Sequence, residues 1–457
     1  MRKLITKKNK VDRLIKFFAV IIVVMSIIKC GDPGSSKSQT TVSIDGDKWL
    51  INKKIINKGS PAEGMLMNVR MVNAVFEDRG TGSAEYVSDF DPQENTDTFI
   101  SKIPEYIDGG VNGFTISLQG GAPGYEGAVN SAFETDGTIR KDYMDRIAKV
   151  VNACNERNGV VILSCFYQRQ HSHFSALQGR EAIFNALENT VEWIKENHFQ
   201  NVLLEVSNEY KHGGYRNWAD GEWLMSENGQ IELIKRAKLL YPSLLVSTSG
   251  MGDGQFDDSL AKTVDYITIH FNNTSLDNYK KRIEELKKYR KPVICNEDDK
   301  IKTTGANALV FSVLNGCGWG YMNNKQNQTI PFKFNGIKDD TAVYFMMKKV
   351  TTPGFLIDES GYKQPAIIIT FPKDGDIFNV GRQIDIKFSH LFPDTSKKYI
   401  IKILSNNNPV GIITDNKTHI NWQLKDPGIF NLEVSMEDLE GKELLRSSKV
   451  DILVKQN

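Results

Sequence analysis

Two apolar runs of the chain end in the same pair of residues. "NVLLEVSNEY" closes on Asn208 and Glu209, and "KPVICNED" closes on Asn296 and Glu297. A carboxylate at the end of a buried run needs a reason, because an ionised group gains nothing from apolar surroundings. Two carboxylates facing one gap can divide a reaction between them. A neutral acid gives its proton to a leaving oxygen, while an ionised partner attacks or stabilises the positive centre left behind. The dipeptide by itself carries little weight. Asn155 and Glu156 repeat it in "NACNERNGV", where a charged pair closing a solvated helix needs no function. What separates the other two is the elements that position them.

Between residues 64 and 350, eight short apolar runs alternate with amphipathic helical stretches. The runs are "GMLMNVRMV", "VNGFTISLQ", "GVVILSCFY", "NVLLEVSNE", "SLLVSTSG", "DYITIHFN", "KPVICNED" and "GCGWGYMN"; "YMDRIAKVVNACNERNG" and "LDNYKKRIEELKKYR" are two of the helices. Near-continuous apolar strands, each followed by a helix, predict a parallel sheet covered on its outside, and eight of them close a (β/α)8 TIM barrel. A doubly wound sheet would carry a Gly-rich phosphate turn after its first strand, and "RMVNAVFEDRGTG" is not one. In a barrel the functional groups sit where strands end and βα loops begin. Glu209 then ends the fourth strand and Glu297 the seventh, on opposite sides of one mouth, which is the equipment for glycoside hydrolysis.

The catalytic domain is expected over residues 44–360, with "TVSIDGDKWLINKKII" as a hairpin capping the barrel's bottom. Residues 364–457 read differently. Alternating strands separated by "KDGD", "NNNP" and "DPG" turns predict a small all-β sandwich, and the pattern resembles bacterial immunoglobulin-like modules.

At the N-terminus, a basic segment precedes the apolar "FFAVIIVVMSII", too short to span a bilayer comfortably and suited to an export signal. Residues 1–29 are expected to be a signal peptide of lipoprotein type and 30–43 a flexible tether. Cys30 resembles the lipidated cysteine of bacterial lipoproteins, which implies an exported protein held in the bacterial cell envelope or at its surface, with the membrane as a partner through a lipid anchor. With 57 basic and 56 acidic residues the net charge is +1, which offers no footprint for nucleic acid. Cys154, Cys165, Cys295 and Cys317 show no metal-ligand spacing and read as buried thiols, so no metal site is implied.

Taken together, Asn208-Glu209 after strand 4 and Glu297 after strand 7 resemble glycoside hydrolase clan A, the barrel enzymes that include the family 5 cellulases and mannanases. The similarity covers roughly residues 64–325. It implies a retaining glycosidase acting on a poly- or oligosaccharide, with Glu209 as acid/base, Glu297 as nucleophile, Asn208 on the sugar hydroxyl beside the reacting carbon, and no cofactor. Glu205 matches a glutamate common in the clan's strand 4. Arg70 in "NVRMVN" resembles the arginine that keeps the nucleophile ionised, and His270 in "ITIHFN" a substrate-binding histidine. Phe271 lies close to where many members place a tyrosine that hydrogen-bonds the nucleophile, so the source of that hydroxyl is open. Trp319 is the residue type that forms a sugar-stacking floor.

Each of these has a plainer reading: a surface arginine, a hydrogen-bonded core histidine, a core tryptophan. "CFYQRQHSHF" concentrates Tyr167, Gln168, Arg169, His171 and His173 at the rim of strand 3, as hydrogen-bond donors to substrate rather than metal ligands. Arg169 and the histidines also make a cationic wall suited to a carboxylate- or sulfate-bearing substrate. The alternative function is a non-catalytic glycan-binding surface lipoprotein on a degenerate barrel. A barrel amidase or esterase is weaker, since no GxSxG elbow is present.

Overall fold

In a computed structural model, residues 39–77, 90–120, 130–169, 177–323, 326–357, 366–372, 375–391, 398–414, 419–447 and 449–456 are described. Three short antiparallel strands come first: β1 (Val42–Asp45), β2 (Lys48–Ile51) and β3 (Lys54–Ile55). Eight parallel strands follow: β4 (Met67–Arg70), β5 (Gly113–Ser117), β6 (Val160–Phe166), β7 (Val202–Ser207), β8 (Leu245–Ser247), β9 (Ile267–His270), β10 (Val293–Asp298) and β11 (Gly318–Tyr321). Each pairs with its sequence neighbour from β4 to β8 and from β9 to β11, and β11 returns to β4. A parallel bridge between Ser249 and Thr268 joins β8 to β9, so the sheet closes into a TIM barrel. The eight apolar runs of the sequence are these eight strands.

Alternation along the strands separates two cores. Val202, Leu204 and Val206 of β7 join the large cluster shared with the helices, as do Val161, Leu163, Val293 and Cys295. Leu203, with Val160, Ile162, Tyr266 and Ile294, packs inside the barrel around Trp49 of the hairpin. The Trp49 and Tyr266 rings meet edge to face at 5.1 Å, so the hairpin plugs the barrel's bottom. Above this apolar plug the interior turns polar. Asn68, Thr115, Ser164, Glu205, Ser247, Thr268 and Asn296 are all buried. Unpaired, each such group would cost about 1–3 kcal/mol, so their mutual hydrogen bonds decide whether the layer is tolerated. Thr115 Oγ1 donates to Asn68 Oδ1 (3.2 Å), Asn68 Nδ2 to the Asn296 carbonyl (3.2 Å), and Asn296 Nδ2 to Glu205 Oε1 (3.3 Å). Polarity thus rises from the plug to the mouth.

The outer layer is helical. α1 (Pro92–Asp108) starts on Asp91, whose side chain accepts from the backbone N–H groups of Gln93 and Glu94. α2 (Lys141–Asn155), α3 (Arg180–Glu196) and later helices each bury an apolar stripe on the barrel. Asn155 caps the bottom of the molecule, its Oδ1 and carbonyl accepting from Thr40 N–H and Oγ1 (2.6 and 2.7 Å). In the repeated Asn-Glu pair it is therefore Asn155 that fastens the N-terminal segment, at the end opposite the mouth.

Beyond the barrel, nine strands among the described residues from Ala366 to Lys455 make two sheets. Ile386, Phe388, Ile403, Leu432, Val434 and Ile452 are among the residues filling the core between them, as a β-sandwich requires. Cys154, Cys165, Cys295 and Cys317 are buried and free. Among the described residues no helix is long and apolar enough to cross a membrane. Cys30 and the apolar stretch at residues 17–28 lie outside the described residues.

Candidate active site

Glu209 stands two residues past the end of β7, with its backbone at φ +45°. That left-handed conformation is uncommon for a residue with a side chain and persists only where neighbours over-determine it. Here they do. The Glu209 N–H donates to Ser249 Oγ (2.8 Å), the Tyr210 N–H to the Ser249 carbonyl (3.2 Å), and the His212 N–H to the Glu209 carbonyl (2.7 Å). Buried Tyr215 adds its hydroxyl to the carbonyls of Phe166 and Asn208 (2.9 and 3.0 Å), tying the ends of β6 and β7 together.

Glu297 arrives from β10 and is 7% exposed at its side chain. Three groups meet its carboxylate. Asn272 Nδ2 donates to Oε1 (2.6 Å). The Arg70 guanidinium faces Oε2, with Nε at 3.1 Å as an ion pair, while the directed Nε–H bond goes to Gln328 Oε1 (3.1 Å). His270 Nδ1 lies 3.6 Å from Oε2 and 3.3 Å from Glu209 Oε1, so the imidazole bridges the two acids. One donor atom from each of Glu209, His270 and Glu297 falls within 4.8 Å of the others.

These neighbours give the acids different characters. Burial alone would raise the Glu297 carboxyl, but the Arg70 charge, then His270 and the Asn272 amide, hold it below its ordinary value of 4.5. Burial likewise opposes a charged His270, yet the Glu297 charge and the contact with Glu209 lift it above 6.5. The charged form of the bridging imidazole is thereby favoured. The same three groups are a possible set of metal ligands, and a glycosidic mechanism needs none there.

Stability should follow the signs of these shifts. A depressed Glu297 contributes above about pH 4.5, and its contribution is lost as pH falls through the lowered folded value; a raised His270 contributes below about 6.5 and loses that as pH rises through its raised folded value. The melting temperature is therefore expected to fall at both ends, and His270→Gln should flatten the alkaline fall and, by removing one of the charges that hold Glu297 down, weaken the acid one. Calorimetry of both proteins across pH checks this; an unchanged alkaline limb in the variant would refute it.

The remaining expected residues are placed unevenly. Asn208 is buried, its Nδ2 donating to Gln168 Oε1 (3.0 Å), and its buried Oδ1 has no hydrogen-bond partner among the described residues. Tyr167 is buried at the end of β6 and Arg169 is exposed two residues on. His171 and His173 lie outside the described residues. Trp319 requires correction as a stacking floor: its side chain is fully buried among residues packed against the helices, and its indole N–H donates to Asp298 Oδ2 (2.8 Å). On β11 it points away from the barrel axis, so no face is available to a sugar. Phe271 is also buried, and Asn272 beside it supplies the donor to Glu297 that the tyrosine would have given. Ser249, Asn272 and Gln328 carry no motif that would have singled them out.

No protein-family model matches the chain, and no curated protein matches it. Solved structures that overlay on it include the endo-β-1,4-mannanase from Thermotoga petrophila, at 13% identity and a TM-score of 0.46, covering 88% of this chain and 100% of that one. The endo-1,4-β-mannanase from Rhizomucor miehei gives 10% identity and 0.46, covering 68% and 99%. Bacteroides uniformis β-glucuronidase gives 10% and 0.44 over 92% of this chain, which spans 48% of the glucuronidase's length. These are likenesses of fold.

Proposed function

We propose that the chain is a retaining glycoside hydrolase that cleaves O-glycosidic bonds of a poly- or oligosaccharide, with Glu297 as nucleophile and Glu209 as acid/base. The observation that carries this reading is one pair of carboxylates across the barrel mouth, with oxygens within 4.8 Å of each other, and with Glu297 clamped by the buried Arg70. Retaining chemistry places the two groups about 5–5.5 Å apart and inversion about 6.5–9.5 Å, because inversion must fit a water between them.

In the first step the Glu297 carboxylate attacks the anomeric carbon. The bond to the leaving oxygen breaks with its electron pair on that oxygen, and Glu209 supplies the proton. In the second step Glu209 takes a proton from water, the water oxygen bonds to the anomeric carbon, and Glu297 leaves. Asn208 Oδ1 accepts a hydrogen bond from the neighbouring sugar hydroxyl. Arg169 at the rim favours a carboxylate- or sulfate-bearing glycan. The basic and apolar leader followed by Cys30 supports export and a lipid anchor in the bacterial envelope, and resemblance supports an immunoglobulin-like C-terminal sandwich.

A panel of neutral and acidic plant and algal polysaccharides, read by new reducing ends, tests the substrate class. Release from acidic members is expected; equal turnover of neutral and acidic glycans would remove the anionic preference. The non-catalytic glycan-binding reading has no observation in its favour.

A further inference from the structure

Strict alternation along β10 would turn Glu297 the wrong way. Val293 and Cys295 face the helices, Ile294 faces the barrel interior, and a two-residue period would put Glu297 with the first pair. The register shows how this is avoided. Against β9, Cys295 pairs with Ile269 but Glu297 pairs with His270, leaving Asn296 as an extra residue; against β11, Cys295 pairs with Trp319 and Asp298 with Tyr321. This β-bulge inverts the facing of everything after it. Glu297 joins inward His270, and Asp298 goes outward beside Trp319.

We propose that Asp298 is a positioning residue for Glu297, locking the bulge that turns the nucleophile into the mouth. The inference rests on Glu297 being the nucleophile. Asp298 is fully buried on the outer face of the barrel, an expensive place for a carboxylate unless it is held from several sides. Its Oδ2 accepts from the Trp319 indole N–H (2.8 Å) and from the Tyr279 hydroxyl, and its Oδ1 from Lys300 Nζ (2.9 Å). The same Lys300 Nζ donates to the Phe271 carbonyl (2.8 Å), and the Phe271 N–H donates to the Glu297 carbonyl (2.9 Å). Tyr279 stacks on Phe271 with ring centroids 3.9 Å apart. The outer anchor is thereby connected to the backbone of the nucleophile itself.

The neighbouring strand is cut to fit. A Cβ on Gly320 would lie 2.7 Å from the Cα and carbonyl carbon of Asn296, both backbone atoms that cannot swing aside. Glycine at 320 leaves the space into which the extra residue bulges. In a bulge-free register the facing reverses: Glu297 would enter the helix side, away from Arg70, and Asp298 would point inward in its place.

The test uses Asp298→Asn, which keeps the shape, Tyr279→Phe, which removes one donor, and Gly320→Ala, which crowds the bulge from the other side. Misplacing a reacting group by about 1 Å costs on the order of 10²-fold. Asp298→Asn and Gly320→Ala are expected to lower kcat by that order with KM little changed, and to move the acid limb of kcat upward as Glu297 loses contact with Arg70. Tyr279→Phe should move both readouts the same way by less. A crystal structure of Asp298→Asn should show the Glu297 carboxylate displaced from Arg70 and Asn272, a readout that needs no turnover and stands even if the wild type hydrolyses no glycan. Variants that melt earlier but keep kcat, the acid limb and the Glu297 position would overturn the proposal.

Discussion

Glu297→Gln is expected to leave a folded barrel that binds glycan and hydrolyses it slower by on the order of 10⁴-fold or more. The amide has the size of the carboxylate and can still accept from Asn272, so the mouth keeps its shape. It cannot attack the anomeric carbon or carry the negative charge that pairs with Arg70. Glu297→Ala should do more damage, because deleting one partner of a buried ion pair costs about 3–5 kcal/mol, and Arg70 is 1% exposed. Calorimetric titration with an oligosaccharide, alongside reducing-end assays, separates the effects. A glycan-binding module without catalysis would show no hydrolysis before or after the change, and a Gln variant with wild-type turnover would remove Glu297 from the chemistry.

Glu209→Gln should lower kcat on glycans by about 10²–10⁴-fold, the range for losing a positioned general acid. Its signature is the dependence on leaving group. A nitrophenyl glycoside needs no proton on departure, so its first step should survive while the second, which needs a base for water, becomes limiting. The variant should then show a burst of nitrophenol, and azide, which needs no deprotonation, should relieve the slow step. Equal losses on glycan and nitrophenyl glycoside without a burst would place Glu209 in binding instead. Ser249 enters the same account, since its hydroxyl holds the left-handed turn that lifts Glu209 over the rim.

Much of this was legible in the chain itself. The eight strands follow from apolar runs buried on both faces, and their ends singled out Asn208, Glu209 and Glu297, because TIM barrels carry their functional groups at that rim. Side-chain facing was less legible. Trp319 sits in a glycine-rich run that reads like an accessible floor, yet the parity of β11 turns it outward to Asp298. For Glu297 the period of two gives the wrong side, and only the extra residue at Asn296 corrects it. A bulge is a three-dimensional agreement among β9, β10, β11 and Gly320, which no single run of residues displays. Asn272 and Gln328 are amides in loops, and their roles come from what the fold brings near them, Glu297 in one case and Arg70 in the other.

The claim that Glu209 and Glu297 act as acid/base and nucleophile in a double displacement is tested most directly by the configuration of the first-formed sugar. Proton NMR during early turnover of a glycan that the protein is found to cleave should show the new reducing end with the anomeric configuration of the bond that was broken. Appearance of the opposite anomer first would mean that water attacks directly, and would contradict a nucleophilic Glu297.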